Sequence, residues 1–262
     1  MNLRRIYAVL LQELYITKHS LEVMIDLFFF STITIIGFGL TSVFLTGKID
    51  GASAYYLILG LLLWEIVRVD QYSISVGALW NIWSRNLSNM FVSPLSMAEY
   101  IGALMFSAII KSSLVFVLLS ILTAILFKFN IFNLGVVNLL LFFINLTLFS
   151  WTIGLLLLGL IFLYGTRIQA LAWGLIFLFQ PLVATFFPVT VLPKFIQPLS
   201  YALPPTYVFE AARVAIESRG VNWTYFGISF TENLVYLLLG LLLFRVMYNK
   251  SKATGQFVRN EG

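Results

Sequence analysis

Six long apolar stretches occupy most of the chain, and they constrain its fold more than any single residue does. Each reaches or exceeds the ~20 residues that a helix needs to cross a ~30 Å hydrocarbon core. Only 10% of the residues are charged, against about 25% in soluble domains. We therefore predict an all-α integral membrane protein with six transmembrane helices in one domain, residues 1–262. The stretches cover residues 23–45, 54–79, 101–127, 134–163, 168–187 and 225–247.

The remaining sequence argues against an enzyme. Six spans in 262 residues leave no room for a soluble catalytic domain, and a chain without cysteine has no disulfide and no thiolate site. A phosphate-binding G-x-x-x-x-G-K-[ST] loop is also missing: Ser42 stands at the first glycine position before Gly47, and Ile49 follows Lys48. We expect no catalytic, cofactor-binding or metal-binding residues, so any ATP and magnesium must be bound by another chain.

Basic residues other than Arg68 and Lys111 are unevenly distributed between the two sides of the membrane. With the N-terminus in the cytoplasm, nine lie on that side and five on the outside, and this excess predicts that both termini are cytoplasmic. We expect the basic C-terminal tail to contact membrane lipids rather than nucleic acid. The inner residues are Arg4, Arg5, Lys18, Arg85, Arg167, Arg245, Lys250, Lys252 and Arg259, and the outer ones are Lys48, Lys128, Lys194, Arg213 and Arg219.

Residues 1–20 show the spacing of an amphipathic helix. An apolar face forms at helical intervals, which predicts a helix lying in the inner membrane interface with that face in lipid. The alternative is that this helix continues into the first span as one tilted helix. The apolar face consists of Leu3, Ile6, Tyr7, Leu10 and Leu14.

Two connections are longer than the others: residues 80–96 on the cytoplasmic side and residues 188–224 on the outside. The outer one is too apolar for a solvated loop and contains five prolines, which predicts two short, broken helices that re-enter the membrane. Pro205 suits the first turn of the second helix. Glu210 and Arg213 can pair along it, with residue 217 one turn further on.

Four charged residues lie within the second and third stretches. Glu65 is ~18 Å from the outer end of its span, and Lys111 is ~15 Å from the inner end of the next. We therefore predict an ion pair between Glu65 and Lys111, or between Lys111 and Asp70, with Arg68 sharing the Glu65 carboxylate three residues away. Such a group either fixes helix packing or serves as a proton relay or substrate site; the sequence leaves both open.

Two segments resemble the ABC-2 type transporter permeases. Residues 85–102 contain Pro94, Leu95 and Ser96 followed by Glu99 and Gly102, similar to the segment after that family's short coupling helix. Residues 203–213 are similar to the segment before its last span, although Leu203-Pro204-Pro205 replaces the usual Asn-Pro pair. With the six spans, the interfacial helix and the broken outer segment, the resemblance covers the whole chain.

The resemblance implies the permease half of an ATP-driven exporter in a bacterial plasma (inner) membrane. Two copies, expected to be identical, would pair with separate ABC ATPase subunits. Residues 80–91 would form the coupling helix, with Met90 and Phe91 filling an apolar cleft of the ATPase; without the resemblance they fit an ordinary interfacial loop equally well. The implied coupling residues are Trp83, Arg85, Asn86, Asn89, Met90 and Phe91, and the implied outer gate residues are Pro204, Pro205, Tyr207, Glu210 and Arg213.

The expected function is export of a lipid-like, glycoconjugate or hydrophobic drug substrate along a path lined by spans one, two and five. The alternative is an ion-gradient-driven transporter that uses Glu65, Asp70 and Lys111. A membrane enzyme acting on lipids is a third possibility, but the clustered polar residues that it needs at the interface are missing from the sequence.

Overall fold

The computed structural model describes residues 2–46, 51–218 and 220–255, and this part of the chain is almost entirely helical, without a strand. A π-helix, Ile25–Phe30, separates the second and third α-helices. The α-helices are α1 Leu3–His19, α2 Leu21–Met24, α3 Ser31–Thr46, α4 Gly51–Trp83, α5 Leu87–Val92, α6 Met97–Phe127, α7 Val136–Tyr164, α8 Gln169–Leu182, α9 Gln197–Tyr201, α10 Pro204–Ser218 and α11 Trp223–Ala253.

Four helical segments are long and apolar enough to cross a membrane, which confirms the all-α, membrane-embedded class. They are Leu21–Leu45, Met97–Phe127, Val136–Leu182 and Trp223–Ala253. The expected span over residues 54–79 is not among these segments. The one over residues 168–187 is joined to the span before it, in Val136–Leu182. Helix α4 has 33 residues but carries three charged side chains close together, and α8 has only 14 residues, or ~21 Å.

Helix α4 lies at the centre of the protein. It packs against α3, α6, α7 and α8, and every residue from Ile58 to Leu79 is buried. Gly60 permits one of these contacts, because a Cβ there would collide with the carbonyl oxygen of Thr185, just after α8. A helix enclosed by other helices carries charged side chains without exposing them to lipid. The central position of α4 therefore accounts for its lower hydropathy compared with α6 and α7.

The N-terminal helix is a separate element. Ser20 has an extended backbone, with φ −93° and ψ 111°, and its hydroxyl accepts a hydrogen bond from the Val23 amide, so α1 ends before α2 begins. The exposed side of α1 carries Leu3, Tyr7 and other apolar residues. Ile6, which we had placed on the lipid-facing side, is 5% exposed and packs inside the protein, because α1 lies against α6.

The π-helix interrupts the first long apolar segment. Its six residues include Asp26, whose carbonyl oxygen accepts a hydrogen bond of 3.3 Å from Nη2 of Arg68 on α4. π-Helical turns are rare and often occur at functional sites.

The segment after α8 contains two α-helices, α9 with five residues and α10 with 15. Helix α10 starts at Pro204 with Pro205 beside it, where the missing amide hydrogens cost no helical hydrogen bond. One face of α10 carries small residues and is buried against its neighbours α7 and α11. That face consists of Val208, Ala211, Ala212 and Ala215.

The connection over residues 80–96 differs from the expectation. We expected one helix over residues 80–91, but α4 continues to Trp83 and the short helix α5 covers only Leu87–Val92. Arg85, with φ +52°, makes the turn between them. Because α4 is held inside the bundle, its helix continues past the apolar stretch that marks its end in the sequence.

Candidate transport cleft, docking surface and outer segment

The charged residues of α4 form a network with the first long segment. Nη2 of Arg68 lies 2.9 Å from Oε2 of Glu65, as predicted from their spacing, and 2.6 Å from the hydroxyl of Ser31. Nη1 of Arg68 lies 3.7 Å from the Asp26 carboxylate. Asp26 was not among the charges expected in this network, although its place near the start of the first apolar stretch was the available signal.

Lys111 does not pair with Glu65 or Asp70, so that prediction is wrong. Its Nζ lies 3.5 Å from Oε2 of Glu13 on α1, and both side chains are buried. Asn81 on α4 donates a further hydrogen bond of 3.3 Å to Glu13. Counting residues along a helix gives the depth of Lys111 in the membrane, but it does not say which neighbour its side chain faces.

Asp70 lies apart from the other charges. It is fully buried, and neither carboxylate oxygen has a hydrogen-bond partner within the described residues. The hydroxyl groups of Ser112 on α6 and Thr147 on α7 lie close to it. The expected charge network therefore separates into three parts: Glu65 with Arg68, Lys111 with Glu13, and Asp70 alone.

A cleft opens between the first long segment and α8, with α4 at its base. Two adjoining cavities form it, of about 550 Å³ and 400 Å³, and both are lined by Asp26, Phe30 and Trp173. A smaller cavity, which also contains Glu13 and Lys111, shares Asp26 and Trp173 with them. We call these cavities together the inner cleft. The first long segment, α4 and α8 all contribute to it, and so do α1 and α6 through Glu13 and Lys111.

The exposed surface around α5 differs from the expected coupling residues. Met90 is 8% exposed, and its sulfur lies 3.8 Å from Nε2 of Gln12 on α1, so it is packed within this chain. Val92, which the sequence analysis missed, is 87% exposed; a valine at the end of a polar segment, just before a Ser-Pro pair, was the available signal. We call the exposed residues Trp83, Arg85, Asn89 and Val92 the docking surface.

The two remaining coupling candidates are Asn86 and Phe91. Asn86 is partly buried and precedes α5, where its carbonyl oxygen accepts a hydrogen bond from the Met90 amide. The side chain of Phe91 lies outside the described part of the structure.

On the outer segment, Glu210 and Arg213 pair as predicted, at 2.9 Å. Together they hold α10 to the chain after α8: Nη1 of Arg213 donates to the Ala184 carbonyl at 3.0 Å, and the Val189 amide donates to Glu210 at 2.8 Å. Ala184 has φ +52°, so its carbonyl is held in an unusual orientation. The side chain of residue 217 lies outside the described part.

The remaining outer candidates also connect elements. The Pro204 carbonyl accepts a hydrogen bond of 2.9 Å from Ser229 on α11, while Pro205 lies beside it in the first turn of α10. The Tyr207 hydroxyl donates to the Tyr201 carbonyl at 2.9 Å.

Comparison with known proteins gives no assignment. No protein-family model matches the sequence, and no curated protein matches it significantly. Within residues 2–46, 51–218 and 220–255, no three histidine, cysteine or acidic side chains come together to hold a metal ion.

Proposed function

We propose that this chain is the permease subunit of an ATP-driven ABC exporter of the ABC-2 type. It would cross the membrane six times, with both termini in the cytoplasm and the outer segment re-entering the membrane, and would work as a homodimer in a bacterial inner membrane. A separate ABC ATPase would supply the energy. The resemblance of residues 85–102 and 203–213 to that family supports this proposal.

One observation carries the proposal: a six-residue helix, α5, lies between two long helices and presents an apolar residue with polar neighbours. The exposed Val92 fits a small apolar pocket, and Arg85 and Asn89 are placed for hydrogen bonds at its rim. Gln12 of α1 contacts both Met90 and Asn81. A movement of α5 is therefore transmitted to α1 and α4, and α4 forms the base of the inner cleft.

In this mechanism, ATP binding brings the ATPase subunits together and displaces α5. The displacement opens the seam between two permease chains, and the substrate leaves the inner cleft toward the outer segment. The contacts of Glu210 and Arg213 with Ala184 and Val189 would hold that segment closed until then. The exported substrate would be a lipid-like molecule, a glycoconjugate or a hydrophobic drug.

Co-purification tests the proposal. The tagged chain is isolated gently from its native membrane, and stoichiometric partners are identified by mass spectrometry. We expect an ATPase with a phosphate-binding loop to be retained by the wild type and by Val92→Ala, and lost with Val92→Asp, because a carboxylate in an apolar pocket is strongly disfavoured. A chain that is isolated without any ATPase, yet transports substrate, contradicts it.

An ion-gradient-driven transporter is the second candidate, and the buried, unpartnered Asp70 carboxyl is the observation that favours it. Carboxyl groups at this depth commonly take part in proton transfer. Transport by purified protein in liposomes under a proton gradient, without nucleotide, would support this candidate and exclude the exporter.

A further inference from the structure

The inner cleft is more acidic than the chain that forms it. Four carboxylates line its cavities, against two cationic side chains, which leaves two negative charges in excess; the chain itself has a formal net charge of +5. The carboxylates are those of Glu13, Glu22, Asp26 and Glu65, and the cations are Lys111 and Arg68.

The excess is concentrated at one place. Lys111 is engaged with Glu13, and the closest acidic partner of Arg68 is Glu65, at 2.9 Å against 3.7 Å for Asp26. Glu22 makes no ion pair within the described residues. Glu22 and Asp26 both line the 550 Å³ cavity, at the cytoplasmic end of the first long segment.

Aromatic side chains surround the same cavity. Trp173 and Phe30 line it, and the Trp173 ring meets that of Tyr72 edge to face, with centroids 5.2 Å apart. A positive group held against an indole ring gains cation–π stabilisation in addition to its attraction to carboxylates. Carboxylates next to aromatic rings form a site for an organic cation, and they repel the phosphate of an anionic lipid.

The adjoining 400 Å³ cavity continues from this site, and part of the Trp64 ring lines it. Phe38 and Phe177 give the rest of this cavity an apolar wall.

We propose that the inner cleft binds an amphiphilic organic cation. The positive group lies between Glu22 and Asp26 against Trp173, and the apolar body extends along Phe30 and Phe177 toward Trp64. The inference that such a cation is the transported substrate rests on the proposed function. Binding of the cation to the inner cleft is tested on the permease chain alone.

Tetraphenylphosphonium and tetraphenylborate provide the test, since they match in shape and carry opposite charges. Binding of each to the full chain, in nanodiscs of uncharged lipid, is measured by equilibrium dialysis. We expect saturable binding of the cation and a roughly tenfold loss of affinity in a Glu22→Gln/Asp26→Asn double variant. Equal saturable binding of both ions, an unchanged affinity in the double variant, or no saturable binding of the cation overturns the proposal.

The variants are chosen to retain the fold. Glu22 is exposed, and the contact of Arg68 with the Asp26 carbonyl survives Asp26→Asn. Trp173→Leu also keeps the carbonyl that accepts the Tyr72 hydroxyl at 2.7 Å, and we expect it to weaken cation binding by itself. Glu232→Gln, which removes a carboxylate on α11, is the matched control and should bind as the wild type does. Size-exclusion chromatography checks that each variant is monodisperse.

The two proposals fail separately. If no ATPase co-purifies but tetraphenylphosphonium binding saturates and depends on Glu22 and Asp26, the exporter proposal is wrong and the binding site stands. If an ATPase co-purifies and the cation does not bind saturably, the binding-site proposal alone is wrong.

Discussion

Nζ of Lys111 lies 3.5 Å from the Glu13 carboxylate, with both side chains almost completely buried. This pair joins the N-terminal helix to the middle of α6. At the other end of α1, the backbone amide of Asn2 donates to Glu99 at 2.6 Å. Helix α1 is therefore held to α6 at two points along its length, in addition to its apolar contacts.

Removing one partner of this pair should destabilise the protein strongly. Glu13→Gln leaves the Lys111 charge buried without its counter-ion, and such losses cost about 3–5 kcal/mol. We expect Lys111→Met to be similarly harmful, and the double variant to be more stable than the sum of the two effects predicts. Unfolding of the purified protein in detergent measures this, with Lys18→Gln on the exposed side of α1 as the control. Additive effects would contradict a direct pair.

Asp70→Asn should not reduce stability. A charged carboxylate is expensive to bury with only the hydroxyls of Ser112 and Thr147 close to it, whereas an amide of the same shape carries no charge. We expect the thermal midpoint of this variant to equal or exceed that of the wild type, and ATP-driven transport to continue. Loss of transport in a stably folded Asp70→Asn protein would instead favour the gradient-driven alternative.

Arg68→Lys should weaken the network of α4 even though it keeps the positive charge. The guanidinium group of Arg68 contacts Glu65 through both Nε and Nη2 and approaches the Asp26 carboxylate through Nη1, and a single ammonium group does not reproduce that geometry. We expect a loss of roughly 1–3 kcal/mol in the free energy of unfolding. Arg68→Met should cost more, because it leaves Glu65 unpaired. Wild-type stability of Arg68→Lys would show that these contacts contribute little.

Arg213→Met should loosen the outer segment. It removes the donor to the Ala184 carbonyl and the partner of Glu210, whose carboxylate also accepts a hydrogen bond from the Val189 amide.

Because the chain contains no natural cysteine, Val189→Cys introduces a single reporter at a position that is 1% exposed. We expect slow maleimide labelling in an otherwise wild-type protein and much faster labelling with Arg213→Met. Val191→Cys, at 66% exposed, is the control for full access; equal slow labelling of Val189→Cys in both proteins would contradict the role of Arg213.

Interactions within one helix were predictable from the sequence. The Glu65–Arg68 and Glu210–Arg213 pairs each lie three residues apart, so helical geometry alone brings their side chains together. The small-residue face of α10 and the two short helices of the outer segment follow in the same way from local composition and the prolines.

Interactions between helices were not predictable. Glu13 lies in a segment that we placed in the membrane interface, and nothing in its spacing indicates that it reaches Lys111. The contribution of Asp26 depends equally on how the first long segment packs against α4. The limits of α5 and the exposure of Val92 depend on where α4 ends, and burial of α4 extends that helix beyond its apolar residues.

The π-helix Ile25–Phe30 sets the rotation of the first long segment about its own axis. A π-helical turn holds about one residue more than an α-helical turn, and each residue of an α-helix turns the chain by about 100°. Deleting one residue here would restore a regular helix and rotate the half that carries Glu22 relative to the half that carries Ser31. The wide turn is thus what allows the Asp26 carboxylate and the Ser31 hydroxyl to reach Arg68 of α4 together.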